Sequence, residues 1–266
     1  MSAGDAQGYA DIAERVPSEQ PLAEDARRVR WIKREPQTMV WSEWDPTRAC
    51  RVVVKLYRRR GLAAYGRMRL SRFRAEREFL VLSHLAAHGL PCSEPLAWAH
   101  GHHPAHGFYE ALVTRELTGM RNLEDHLAEL PTDGSAPPPD LSPLAALLRR
   151  MHACGCYHGV MKPSNVMIGA ADTPTPSFAL IDLDMARVFP RDLYGTWVGR
   201  FDLLEMCSYL LKLFGAAALR QWLPSYGLRD GEIETFLQEL AVYAQRSRRW
   251  RRGPRRRVHL ASLWGR

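Results

Sequence analysis

Between residues 39 and 57 the chain reads as two strands. These are Met39-Val40-Trp41 and Arg51–Tyr57, with a turn at Trp44-Asp45-Pro46-Thr47 where proline presets the dihedral that the turn needs. The pattern then becomes helical. Residues 71–88 predict a helix whose positions 75, 78, 82 and 85 share one face, with Gly89 and Pro91 as stop signals. Phe108–Glu116 reads as another strand, joined to a short helix over Asn122–Leu130, and Pro131–Asp140 (PTDGSAPPPD) reads as a surface loop. Apolar residues at 141, 144, 147, 148 and 151 predict a helix over Leu141–Cys154. After Tyr157–Ile168 and a loop at 169–177, Phe178–Ile181 reads as a short buried strand, and residues 201–244 return to helical spacing. Strands dominate before about residue 117 and helices after it, so the expected fold class is α+β, as two lobes in sequence. The divisions are a polar lead-in over 1–28, a small β-rich N-lobe over 29–117 with one main helix at 71–88, a helical C-lobe over 118–244, and a basic tail over 245–266.

Composition changes this picture in two places. The 266 residues include 37 Lys+Arg and 29 Asp+Glu, with 46% apolar, which excludes a chain disordered throughout and a disulfide-stapled miniprotein. Five cysteines without paired CxxC spacing fit a reduced, cytoplasmic setting. No membrane span is expected, since the nearest candidate, Cys207–Leu219, is broken by Lys212; the first thirty residues lack the basic-then-apolar order of an export signal. Of the 37 basic residues 33 are arginine, so Lys33, Lys55, Lys162 and Lys212 each carry more information than lysine usually does. The net charge of +8 matches eight arginines between Arg246 and Arg257, and no acid follows Glu239. Such a tail suits an anionic partner. An inner-membrane surface or a phosphorylated glycolipid fits, whereas nucleic acid fits less well because no nucleic-acid fold accompanies the patch.

Four features carry candidate chemistry. Val52-Val53-Val54-Lys55 places an ammonium on a β-branched strand, where it can clamp phosphate oxygens; a lysine there is also commonly a solvated edge residue. Glu78 lies on the inward face of the 71–88 helix, where a carboxylate needs a cationic partner, while Glu76 points to the opposite side. His158-Gly159-Val160-Met161-Lys162-Pro163-Ser164-Asn165 follows the 141–154 helix, and Leu180-Ile181-Asp182-Leu183-Asp184 ends the buried strand. A hairpin between these last two would bring the Asn165 amide beside the Asp182 carboxylate, a hard-oxygen pair suited to Mg²⁺. The histidines at 100, 102, 103 and 106 (HGHHPAHG) lack ligand spacing and read as a surface turn between strands, and Cys154-Gly-Cys156 reads as packing.

In this order, those features resemble the protein-kinase-like superfold and, more closely, the lipopolysaccharide core-sugar kinase family, which phosphorylates Kdo or heptose of lipid A–core. The resemblance rests on VVVKLYRRRG at 52–61, RAEREFLVLSHLAAHGLPCSEPLAW at 74–98, LVTRELTG at 112–119, LLRRMHACGCYHGVMKPSNVMI at 147–168 and LIDLDMARV at 180–188. It implies ATP and Mg²⁺ as cofactors and a two-lobed kinase-like fold, acting on lipopolysaccharide core at the inner face of the cell membrane. By the same resemblance Lys55 holds the α/β-phosphates and Glu78 positions it. The backbone of Glu116 and Leu117 reads adenine, and Asn165 and Asp182 bind the metal. Lys162 faces the γ-phosphate, and Asp202 braces the catalytic loop. Two departures stand out. Val160 occupies the place of the family's catalytic Asp, leaving His158 or Asp184 as substitutes, and no glycine occurs from Ala10 to Arg60 to form a Gly-rich loop. A pseudokinase that binds nucleotide or glycan without turnover is therefore the alternative, and a small-molecule phosphotransferase is a weaker one.

Overall fold

The computed structural model describes residues 29–59, 66, 73–104, 107–131, 139–170 and 176–245; the lead-in and the arginine-rich tail foreseen from sequence lie outside them. The chain divides into two compact units, Met1–His84 with Ser93–Thr118, and Leu85–Cys92 with Gly119–Arg266.

The first unit is a five-stranded antiparallel sheet in the order β1-β2-β3-β5-β4, formed by β1 (Val29–Glu35), β2 (Thr38–Asp45), β3 (Cys50–Arg59), β4 (Pro95–His103) and β5 (Gly107–Arg115). Helix α1 (Arg74–Ala87) follows β3. Alternation along β3 sorts its side chains. Val52, Val54 and Leu56 enter a core with Met39, Trp41, Tyr109, Ala111 and Val113, and Lys55 and Tyr57 project from the other face. Three expectations shift. Strand β1 was not foreseen, and β2 continues through Trp44, so that the turn falls at Pro46–Ala49. The turn moves because the Asp45 side chain accepts hydrogen bonds from the amides of Thr47 and Arg48, at 3.0 and 3.4 Å, and so closes the loop itself. The expected histidine turn is strand as far as His103, and His100 stacks on Phe73 with ring centroids 4.1 Å apart; His106 lies outside the described residues.

The second unit is mainly helical. After β6 (Met120–Asn122) and α2 (Leu123–Ala128) come α3 (Ser142–Ala153) and β7 (Cys156–Tyr157), then a 3₁₀ turn (Pro163–Asn165). Strands β8 (Val166–Gly169) and β9 (Ser177–Leu180) form a hairpin beside β6, and β10 (Arg187–Val188) pairs with β7. Helices α4 (Trp197–Tyr226) and α5 (Asp230–Gln245) complete it. The helical stretch expected over 201–244 is thus interrupted twice, at Gly215 inside α4 (φ 73°, ψ 177°) and where Gly227 adopts φ 103° between α4 and α5. The segment 85–92 belongs here. Arg150 donates to the Gly89 carbonyl at 2.7 Å, and the Leu180 amide donates to the Pro91 carbonyl at 3.0 Å. Among the described residues no helix is long and apolar enough to cross a membrane.

Candidate active site

In the first unit the candidate residues are Lys55, Glu78, Glu116 and Leu117. Lys55 Nζ lies 3.0 and 3.2 Å from the two carboxylate oxygens of Glu78, which is 2% exposed. Strand alternation puts Lys55 on the face that meets Glu78 of α1, and a carboxylate so buried requires this cation. Sequence reasoning missed a third member. Tyr57 Oη donates to Glu78 Oε2 at 3.0 Å, and its signal was available, since residue 57 shares a strand face with residue 55. The N-terminus of α1 is held separately by buried Glu110, which accepts from the Ala75 amide at 2.8 Å.

Glu116 follows β5, and its carboxylate accepts hydrogen bonds from Arg30, Ser42 and Arg51, one residue from each of β1, β2 and β3. The Glu116 amide donates to the Arg51 carbonyl at 3.0 Å. The Glu116 amide is therefore engaged within the sheet.

In the second unit the segment 158–165 is strapped to α4. Asp202, fully buried, accepts from the amides of His158 at 2.6 Å and Gly159 at 3.0 Å, and His152 Nε2 lies 3.4 Å from its carboxylate. One turn along α4, buried Glu205 accepts from the Met161 amide at 3.2 Å. This second strap also escaped the sequence reading, although its signal is an acid three residues after Asp202 on one helix face. Gly159 has φ 86°, and a Cβ there would meet the Met185 carbonyl oxygen at 2.7 Å, so the loop needs glycine at this point.

The hairpin sets Asn165 opposite Ile181, the residue before Asp182. Val166 pairs with Leu180, and the Ile181 amide donates to the Asn165 carbonyl at 3.1 Å. Asn165 Nδ2 donates to the Val160 carbonyl at 2.8 Å, which commits the amide nitrogen and leaves the oxygen end of the side chain for a cation. Asp182 has φ 59°, a conformation that a non-glycine residue adopts at a cost. Lys162 is half-buried where the 3₁₀ turn begins.

His158 anchors the loop. Its side chain is fully buried and its Nε2–H donates to the Ile181 carbonyl at 3.2 Å, so the ring ties the loop to the end of the hairpin. Burial pushes the imidazole below its ordinary value, outweighing the upward pull of Asp202 and Asp182. Asp184 is also buried, at 4% exposure, and Val160 has no titratable group. The Cys154-Gly-Cys156 stretch packs as expected, with the thiol of Cys156 pushed well up by burial.

A family model described as "Lipopolysaccharide kinase (Kdo/WaaP) family" matches residues 25–194. No curated protein matches. Among solved structures, "WaaP in complex with acyl carrier protein" superposes with a TM-score of 0.59 over 88% of this chain and 95% of that chain, at 16% identity. At that identity the likeness is one of fold, and it covers both the sheet-rich and the helical units.

Proposed function

The chain belongs to the lipopolysaccharide kinase (Kdo/WaaP) family, and from that premise we propose that it transfers the terminal phosphoryl group of ATP to a hydroxyl of a lipopolysaccharide core sugar, Kdo or heptose. The observation that carries this reading is the hairpin that pairs Asn165 with Ile181, the residue before Asp182, at the end of a loop strapped to Asp202. Two hard-oxygen side chains held on a braced turn fit Mg²⁺, which when bound neutralises charge on the phosphates. Lys55, oriented by Glu78, takes the α/β-phosphates. The Glu116 carbonyl and Leu117 take the adenine edge, and Lys162 takes the transferring phosphate. The acceptor is an anionic glycolipid at the cytoplasmic face of the membrane, and the arginines of the tail are its electrostatic tether.

A specific observation favours a second reading, a pseudokinase that binds nucleotide or glycan without turnover. Val160 stands where the family has its base, and His158 is fully buried, so neither presents a proton acceptor at the surface to an incoming hydroxyl. Phosphoryl transfer depends mainly on positioning and charge neutralisation, so loss of a base slows it more than it abolishes it. The deciding experiment measures Mg·ATP binding by calorimetry beside phosphate transfer to delipidated core oligosaccharide. Binding with transfer supports the kinase, and binding without transfer supports the second reading. Absence of both would remove the nucleotide site altogether.

A further inference from the structure

Glu78 accepts from Tyr57 as well as from Lys55, the lysine of the ion pair. A lysine ammonium on four flexible carbons fixes a charge but does not fix the plane of the carboxylate that it meets. Tyr57 supplies what is missing. Its ring is 1% exposed, the Arg74 guanidinium lies 4.6 Å from the ring centroid, and Lys55 Nζ lies 5.7 Å from it on the same strand. From this wedge the hydroxyl reaches Glu78 Oε2 at 3.0 Å. Tyr57 also sits directly across from Glu110 in the β3–β5 register. Glu110 binds the Ala75 amide at the start of α1, and Tyr57 binds Glu78 one turn further on, so neighbouring positions of the sheet hold the helix at two points.

We propose that Tyr57 is a positioning residue for the nucleotide site: its hydroxyl holds the Glu78 carboxylate in the plane that aims the Lys55 ammonium at the phosphates. The pair is then set before nucleotide arrives, and no rearrangement of α1 is needed to assemble it. The functional meaning of this rests on the nucleotide-site reading above, and the test separates the two.

Tyr57→Phe removes one oxygen and keeps the ring. Affinities for Mg·ATP and for adenosine are measured by calorimetry on the full chain, for the wild type, Tyr57→Phe, Lys55→Met and the double variant. The expected result is a loss of about tenfold in Mg·ATP affinity with adenosine binding unchanged. In the Lys55→Met background, Tyr57→Phe should add nothing, because the hydroxyl acts through the ammonium. Equal weakening for both ligands, additive losses or no loss would each overturn the proposal. A ligand-free arm uses acylation by an N-hydroxysuccinimide ester, read peptide by peptide. Lys55 in Tyr57→Phe should label several-fold faster, with Lys33, Lys162 and Lys212 unchanged. A rise at all four lysines signals general loosening and counts against it. If the wild type prefers ATP through Lys55 but Tyr57→Phe changes neither arm, only this inference falls. If the wild type shows no preference for ATP over adenosine, the nucleotide reading falls with it.

Discussion

Asp202 accepts the amide hydrogen of His158 at 2.6 Å across forty-four residues of chain, and the neighbouring Gly159 amide donates to the same carboxylate. Asp202 is fully buried, so these amides have no water to fall back on. Asp202→Ala strands both donors and should cost roughly 2–4 kcal/mol in urea unfolding. Asp202→Asn should cost less, since its single carbonyl oxygen can still serve one of them. A change below about 0.5 kcal/mol in the alanine variant would mean that the loop is held by something else.

Two glycines next to this strap should be intolerant of any side chain. A Cβ at Gly159 would lie 2.7 Å from the Met185 carbonyl oxygen, and one at Gly155 would lie 2.0 Å from the Phe189 carbonyl oxygen. Both also have positive φ, 86° and 78°. Gly155→Ala should be the more damaging, because the clash is closer and a second backbone carbonyl, that of Arg191, lies 2.9 Å from the same point. A loss of more than about 3 kcal/mol or failure to fold is expected there, against roughly 1–3 kcal/mol for Gly159→Ala. Equal thermal midpoints for the two variants would contradict this order.

The burial of His158 gives a pH signature. Its folded imidazole titrates below its unfolded value, so the unfolded state binds the proton first as pH falls. Stability on this account is complete above the unfolded value of about 6.5 and is lost progressively as pH drops through the folded one. Thermal midpoints recorded from pH 7.5 to pH 5 should fall for the wild type. In His158→Gln, which keeps a donor for the Ile181 carbonyl, the fall should be shallower. Parallel curves would show that the acid sensitivity arises at other groups.

Much of this architecture was legible in the chain because its signals are local. Lys55 follows the β-branched run Val52–Val54 and Glu78 lies on the helix face at 75, 78, 82 and 85, two local signals whose side chains meet in the fold. The hairpin of β8 and β9 follows from two short apolar runs around a loop. What escaped depended on partners distant in sequence. Strand β1 is an edge strand whose last four residues are exposed, three of them charged, so no apolar alternation marks it. Gly101 suggested a turn, yet it lies in β4 because the Tyr109 ring covers it, its hydroxyl 2.9 Å from where a Cβ would be. The hydroxyl of Tyr57 and the carboxylate of Glu205 acquire their roles only once helix and strand, or helix and loop, are packed together.

The basic tail makes a separate prediction, from charge alone. Deleting residues 246–266 removes nine arginines, the eight between Arg246 and Arg257 and Arg266. Each basic residue near an anionic surface contributes about 1 kcal/mol, so retention on phosphatidylglycerol vesicles at low salt should drop sharply. Retention of the full chain should fall steeply between 50 and 300 mM salt as the Debye length shortens. Unchanged flotation of the truncated chain at low salt would move the anionic contact to the folded units.

On the proposed kinase reading, Val160 decides whether the site turns over, and the backbone around it makes the test clean. Its carbonyl is bonded to Asn165 Nδ2 at 2.8 Å, and the two preceding amides are bonded to Asp202. The backbone at this position is therefore fixed from both sides, while the side chain is only half-buried. Val160→Asp should present a carboxylate from an unchanged loop, with a stability change within about 1 kcal/mol. A general base contributes about 10²–10⁴-fold, so transfer from ATP to core oligosaccharide should rise by orders of magnitude, with little change in Mg·ATP affinity. A gain confined to turnover identifies residue 160 as the missing base of a kinase site. Tight nucleotide binding with no gain in transfer would instead assign the chain to binding without catalysis.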